Sequence, residues 1–593
     1  MTGLICYNDS EMMTTEEFSM KKMLALIMCV LLLCTVAACS ADKGASSDNG
    51  ADADKGAVSD SGTSFEEIDP QTLPSKVDLR DHDGKNYVTP VKTQRYGDCW
   101  TFSLTGAAEV AYLYANDKGV PTGKINDQVN YSEKYITCYM FHGITKDDVV
   151  KGRVRASQVG EGYDPSEAES ERELTPYFIG GPFVHDANLF GAGFGPVDES
   201  VEVKGEYPYG YDDKSSVEWS LPLNAEYRCA PVAAVLRYSK RLPSPASADA
   251  DGNYMLNADG LNAIKSELNQ GHGVSIALCS AHPGFNAKKR AAYYNGDGKP
   301  DHAVTVVGYD DDYPKENFTK KNYNGEVDKD SIPPENGALI VKNSGGLTKF
   351  DGDIDDGYIY VSYYDHSLRD PLSFVFDSDD AIRHDEVNYD QYDLLMTSWY
   401  GSTDHDDETK MANVYDAEED ESLFQIAYVT GSGMTEVTYE IYKDVEGDDP
   451  ASGTLLETGV NRHTFPGYYK IDLKDEYFLN KGDKYAVVLT MKRMTDEDGK
   501  TVYTEVLPYT TDTTEFFEGM TVRGIINKGE SYLFTDGKWN DMADMKDSLI
   551  DRAYDLCEEE LRSDPALPEV QLKGKESMAI DNFPIKAILA PAE

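Results

Sequence analysis

Residues 74–113 read PSKVDLRDHDGKNYVTPVKTQRYGDCWTFSLTGAAEVAYL. The run Val88-Thr89-Pro90-Val91 gives way to a glycine-containing turn. From Cys99 to Leu113 the chain is free of proline, rich in Ala, Leu and Val, and apolar at helical spacing. A helix is therefore predicted with Cys99 at or near its N-terminus. The unpaired amides of a helix N-terminus favour a thiolate over a thiol, which makes Cys99 a candidate nucleophile. A buried apolar cysteine with a packing role is the plainer reading of the same residue.

The neighbours supply what a thiolate nucleophile needs. Gln94, five residues upstream, carries an amide able to donate to an oxyanion alongside the Cys99 backbone N–H. Downstream, Asp301-His302-Ala303-Val304-Thr305-Val306-Val307-Gly308-Tyr309 reads as an apolar strand with His302 at its mouth, where a rigid base can be aimed. A second strand, Gly337-Ala338-Leu339-Ile340-Val341-Lys342, ends at Asn343, a neutral amide able to bond an imidazole and fix its tautomer. The order along the chain is Gln94, Cys99, His302, Asn343.

At these residues the sequence resembles the papain-like cysteine peptidases, over roughly residues 74–365. Tyr96-Gly97-Asp98-Cys99-Trp100 is similar to the family signature around the nucleophile. Tyr131-Ser132-Glu133 is similar to its Leu-Ser-Glu segment, and Glu206-Tyr207-Pro208-Tyr209 to its Tyr-Pro-Tyr turn. Gly180-Gly181 resembles the glycines that pair with substrate backbone, and Asp356-Gly357-Tyr358 to Tyr363 the final strand. The resemblance implies Cys99 as nucleophile, His302 as ion-pair partner and general acid/base, Asn343 as orienter and Gln94 as oxyanion donor. It further implies Trp100, Gly180 and Gly181 as substrate-binding residues, and a cleft between a helical lobe and a β-rich lobe.

The chain departs from that pattern in several places. Tyr96 stands where the family usually has a cysteine, so the expected lobe disulfide is absent. The loop from Gln94 to Cys99 is one residue shorter than in papain. Gly345 replaces the tryptophan that shields the His–Asn bond, and Asp98 sets an anion beside the nucleophile, opposing the thiolate unless it faces solvent. The separation of Cys99 from His302 exceeds the roughly 130–150 residues of papain-type enzymes. Segments 142–175 and 239–258 are read as inserted loops, and 310–336 as a further insertion able to overhang the cleft.

The N-terminus bears on compartment. Met20-Lys21-Lys22 precedes sixteen uncharged residues, 23–38, an export signal that is short for a spanning helix. It ends Val36-Ala37-Ala38-Cys39, which resembles a bacterial lipoprotein box and implies lipidation of Cys39; ordinary cleavage after Ala38 is the alternative. Acidic residues before Met20 suit no export signal, so Met20 is read as the initiator. Residues 40–73 then form a flexible tether or short pro-segment. Beyond the signal remain Cys99, Cys138, Cys229, Cys279 and Cys557, an odd number that leaves a free thiol in an exported chain. No cysteine or histidine spacing suits zinc, and the Asp351 to Gly357 run fails the calcium-loop pattern, so no metal and no cofactor is expected.

Beyond Phe376 the texture changes to short alternating runs broken by Gly, Asn and Asp, the pattern of a β-sandwich. Strands are predicted over residues 423–430, 436–443, 468–473, 485–492 and 585–589, and one acidic helix over 542–561. Gly529 to Phe534 with Asp536-Gly537-Lys538-Trp539 resembles the lectin-like sandwich that follows some bacterial papain-like peptidases. Trp399, Tyr400 and Trp539 are candidates to stack on a glycan, although the ordinary burial preference of aromatic rings favours core packing. The net charge of −51 repels phosphate backbones, and no basic patch offsets it, so nucleic acid is not an expected partner.

The expected fold class is α+β: a two-lobe papain-like peptidase over 74–375, then an all-β lectin-like sandwich of jelly-roll type over 376–593. The expected activity is that of a lipid-anchored, extracytoplasmic cysteine endopeptidase acting on proteins or peptides. The alternative is a catalytically degraded surface protein that binds protein or glycan ligands.

Overall fold

The computed structural model describes residues 64–140, 142–164, 189–211, 221–249, 252–280, 285–319, 332–346, 349–350, 353–354, 356–379, 387–392, 398–405, 409–494, 501–511, 521–563 and 574–591. Cys39, Gly180 and Gly181 lie outside them.

Helix α1 (Cys99–Ala115) begins at the cysteine, and fourteen of its seventeen residues are buried. A helix apolar on nearly every side is stable only as a central element. One sheet holds strands β1 (Leu236–Arg241), β2 (Val274–Leu278), β3 (His302–Asp310), β4 (Ala338–Lys342), β5 (Tyr358–Ser362) and β6 (Arg369–Phe376), and the helix packs against β2, β3 and β6. Strand β3 is buried along its whole interior, as its continuous Val-rich run dictates for a strand covered on both faces. It runs antiparallel to β2, with His302 opposite Leu278, and to β4, with Thr305 opposite Lys342. Helix α2 (Glu133–Met140) completes the helical lobe beside α1, and α3 (Ala258–Asn269), N-capped by the Asn257 side chain, packs near β3 and β2.

The sandwich is built from β7 (Thr409–Asp416), β8 (Glu421–Thr430), β9 (Thr435–Lys443), β10 (Gly467–Leu479), β11 (Lys484–Met494), β12 (Ser531–Thr535), helix α4 (Met542–Ser563) and β13 (Lys586–Pro591). All five expected strands and the helix are present, each longer than its apolar pattern by one to several residues. One sandwich sheet holds β7, β9, β11 and β12. The other is the peptidase sheet itself, continued: its order runs β13, β8, β10, β1, β6, β2, β3, β4, β5. The crossing from one half to the other is the pair β10–β1, where Tyr469 lies opposite Tyr238 and their rings stack at 6.1 Å. Ile426, Tyr428, Ile441, Ile471, Val487 and Leu489 fill the space between the two sandwich sheets.

The segments expected as inserted loops have defined tasks. Within 239–258, the chain continues β1, forms a hairpin from Ala246–Ala248 and Tyr254–Leu256, and enters α3. The described part of the other, 142–164, clamps the two halves together. Residues Gly162–Asp164 pair with Thr521–Arg523, the Tyr389 N–H donates to Gly152 O at 2.7 Å, and Arg155 pairs with the buried Asp390. Asp390 also accepts from Tyr485 Oη at 2.5 Å.

Removing one partner of a buried ion pair strands the other. Arg155→Ala is expected to cost about 3 kcal/mol in urea unfolding, while Lys151→Ala, at the exposed pair with Glu419, costs less than about 1 kcal/mol.

Candidate active site

Three of the sequence-predicted residues meet where α1 abuts the sheet. Cys99 is the first residue of α1, His302 the first of β3, and Asn343 follows the last residue of β4. Their separation is set by a close helix–strand contact one turn along. Ser103 Oγ donates to Val304 O at 2.6 Å and Thr305 Oγ1 donates to Ser103 O at 3.0 Å. Gly106 completes that contact, because a Cβ there would lie 2.5 Å from Thr305 Oγ1.

His302 Nε2 donates to Asn343 Oδ1 at 2.8 Å, which leaves Nδ1 for the hydrogen bond the ring makes with Cys99. Asn343 Oδ1 also accepts from the Ser344 N–H at 2.8 Å, so the orienting amide is itself fixed. Burial opposes a charge on His302, but the hydrogen bond and charge of Cys99, with Asn343 and Asp301, outweigh it and push the imidazole up to about 9. The imidazole is thus hydrogen-bonded to the Cys99 thiol on one side and to the Asn343 amide on the other.

Gln94 lies on the adjoining loop. Its amide donates to Tyr96 O at 2.5 Å, its Oε1 accepts from Ser344 Oγ at 2.7 Å, and its backbone N–H donates to Ser344 O at 2.7 Å. One amide hydrogen is thus spent within its own loop. Trp100 corrects an expectation: it is 1% exposed and packs in the helical-lobe core, so its ring does not line the cleft. Among the described residues, no atom lies within 4 Å of a Cβ built on Gly345, where the family's tryptophan would stand. Asp98, expected to be tolerable only if solvent-facing, is fully buried. Burial pushes its carboxyl up to about 7, despite the hydrogen bond from Tyr211.

Beneath the site lies a charge network that motif reading missed. Lys92 Nζ bridges Glu133 Oε1 at 2.7 Å and Glu109 Oε1 at 3.1 Å, and Lys342 Nζ donates to Thr89 Oγ1 at 2.7 Å beside Glu109. Burial pushes Lys342 down to about 8, with Glu109 resisting and Lys92 assisting. The network ties the Gln94 loop, α1, α2 and β4 together. Its signal in the sequence was a charge inside an apolar run: Glu109 in the helix, Lys342 in the strand. Among the described residues no group of three or more His, Cys, Asp or Glu side chains is arranged to hold a metal ion.

Two solved structures share this architecture over most of the chain. One is the clostridial cysteine protease Cwp84 after propeptide cleavage, with a TM-score of 0.56 and 20% identity over 88% of this chain and 100% of that one. The other comprises the cysteine protease and lectin-like domains of Cwp84, a surface layer associated protein of Clostridium difficile, with the same score and identity over 88% of this chain and 89% of that one. The lectin-like domain family model matches residues 389–554. The fold is that of a papain-like cysteine peptidase followed by a lectin-like domain. No curated protein matches the chain.

In this papain-like fold Cys99 and His302 stand at the end of the junction of α1 with β3. In the lectin-like domain, Trp539 is half-buried and packs edge-on against Phe534 at 5.2 Å, a packing role rather than an open stacking platform. Trp399 and Tyr400 fall on the strand Ser398–His405, whose side chains lie outside the described residues.

The His302 ring is expected to titrate near pH 9 in the wild type and far lower in Cys99→Ala, since burial persists when the thiolate is gone. NMR titration of the ring checks this. Because the folded-state value is raised from 6.5, the stability contributed is complete below pH 6.5 and lost as pH rises through about 9.

Proposed function

We propose that the chain is a cysteine peptidase that hydrolyses peptide bonds in proteins or peptides. The observation that carries this reading is the imidazole of His302 held between the Cys99 thiol at a helix N-terminus and the Asn343 amide. In the first step Cys99 Sγ attacks the scissile carbonyl carbon. The oxyanion is met by the Cys99 backbone N–H and the second amide hydrogen of Gln94. The C–N bond breaks as His302 gives its proton to the leaving amine, and a thioester to Cys99 remains. Water then attacks the thioester, His302 takes its proton, and the acid product leaves as the thiol–imidazole pair is restored.

By the resemblance, Gly180 and Gly181 pair with substrate backbone. Lipidation at Cys39 would hold the enzyme to the outer face of the cell membrane through the tether 40–73. The surface layer association of Cwp84 agrees with an extracytoplasmic setting. The lectin-like domain shapes and braces the cleft-bearing half, and glycan docking is its second assignment. Gly345 in place of the family's tryptophan favours one rival reading, a papain-fold protein that binds without cleaving.

Hydrolysis of fluorescein-labelled casein under reducing conditions, by protein beginning at Ser64, separates the two. Cleavage is expected in the wild type and abolished in Cys99→Ala. His302→Ala is expected to lose about 10²- to 10⁴-fold in kcat/KM, and Gln94→Ala about 10²- to 10³-fold. Cleavage that survives in Cys99→Ala overturns the assignment, and absence of cleavage by folded wild type supports the binding protein.

A further inference from the structure

The charge network beneath the site is a chain of contacts with two loose ends. Lys92 Nζ carries three hydrogens and meets three acceptors, Tyr131 O at 2.7 Å, Glu133 Oε1 at 2.7 Å and Glu109 Oε1 at 3.1 Å. Glu133 Oε1 also accepts from Thr105 Oγ1 at 2.7 Å. The second oxygen of that carboxylate, Oε2, is buried and has no hydrogen-bond partner among the described residues. Glu133 is 0% exposed, so bulk solvent does not reach it. A buried carboxylate oxygen without a donor is unfavourable.

The other end is Lys342. It donates to Thr89 Oγ1 at 2.7 Å, while Glu109 Oε2, at 3.8 Å, is beyond hydrogen-bond distance. An ammonium has three hydrogens, so Lys342 keeps donor capacity that Thr89 does not use.

Both ends line one cavity of about 10 Å³, together with Asn343, Ser344 and the junction of α1 with β3. A space of about 10–15 Å³ is the least that holds a water molecule, so this one has room for a single occupant. The hydroxyl hydrogens around it are already engaged. Ser103 Oγ donates to Val304 O, Thr105 Oγ1 to Glu133 Oε1, Thr305 Oγ1 to Ser103 O and Ser344 Oγ to Gln94 Oε1. None is left to serve Glu133 Oε2, although each of these oxygens keeps a lone pair able to accept.

We propose that this cavity is a binding site for one structural water, which accepts from Lys342 Nζ and donates to Glu133 Oε2. Its second hydrogen meets a lone pair of Ser103, Thr105 or Thr305. The water turns the open chain into a ring that runs from Glu133 through Lys92, Glu109 and Lys342 and back to Glu133. An ion fits less well, because two ammonium groups and two carboxylates already balance and an added charge of either sign would stand uncompensated in a buried place. Lys342 immediately precedes Asn343, and Glu133 belongs to α2, so the water fastens the strand that presents the orienting amide to the helical lobe. This inference rests on the network and the cavity, not on the reading of the chain as a peptidase.

A crystal structure at atomic resolution tests it. The expected result is one peak of water density within about 2.6–3.2 Å of both Glu133 Oε2 and Lys342 Nζ. Density bonded to neither atom, a dry cavity, or direct contact between Lys342 and Glu133 overturns the proposal. So does anomalous signal at the site after a thallium or bromide soak, which would make the occupant an ion. In solution, oxygen-17 relaxation dispersion counts long-lived internal waters. Lys342→Met keeps the length of the side chain without its donor, and the count is expected to fall by one in that variant; an unchanged count in the folded variant overturns the assignment. Neither measurement needs catalysis, so the water site and the peptidase reading stand or fall separately.

Discussion

The distance between the helix that begins at Cys99 and the strand that begins at His302 governs the whole site. That distance is held by small residues. Ser103 Oγ donates to Val304 O and Thr305 Oγ1 to Ser103 O across the junction, and Gly106 lies so close to Thr305 that no side chain fits between them. Because α1 is buried along most of its length, it has no freedom to settle further out. Any side chain large enough to prise the junction open would carry the thiol away from the imidazole before it disturbed either element. Packing and chemistry are here the same constraint.

The second constraint is electrostatic. Two cations, Lys92 and Lys342, and two anions, Glu109 and Glu133, meet in the low-dielectric junction below Asn343. A buried pair of this kind adds little net stability over well-packed apolar residues, but it is specific about geometry, since a displaced partner leaves an uncompensated charge. Its members belong to four segments, three of which carry Gln94, Cys99 and Asn343. The network therefore registers those segments against one another in a lobe that has no disulfide to do so.

Much of this was legible in the sequence, for identifiable reasons. Helix α1, strands β3 and β4 and the sandwich strands declared themselves because each is a strongly patterned apolar run between turn residues. The meeting of Cys99, His302 and Asn343 followed from family resemblance, not from pattern alone. What stayed hidden depends on contacts distant in the chain. The stretch 142–164 looks like a polar loop, since nothing local announces that Arg155 will find Asp390 or that Gly162–Asp164 will gain Thr521–Arg523 as a partner. Asp98 looks like a solvated turn residue, and only the fold brings Tyr211 over it. The resemblance set Trp100 at the substrate, whereas its helical side chain turns into the helical-lobe core.

The order of strands in the shared sheet also dictates when the protein can finish folding. Strand β13, far in sequence from both of its neighbours, does not close an edge; it lies between β8 and Asn388–Asp390. At the other end, the Glu66 N–H donates to Thr464 Oγ1 across 398 residues, and the Glu66 carboxylate pairs with Lys240. Contacts of such sequence separation form late, after loop closure has been met by other interactions. The nascent chain cannot complete its central sheet from the N-terminus forward. Until residues 586–591 are in place, the sheet has a gap at β13, and the half that carries Cys99 and His302 is attached to a sandwich that is not yet closed.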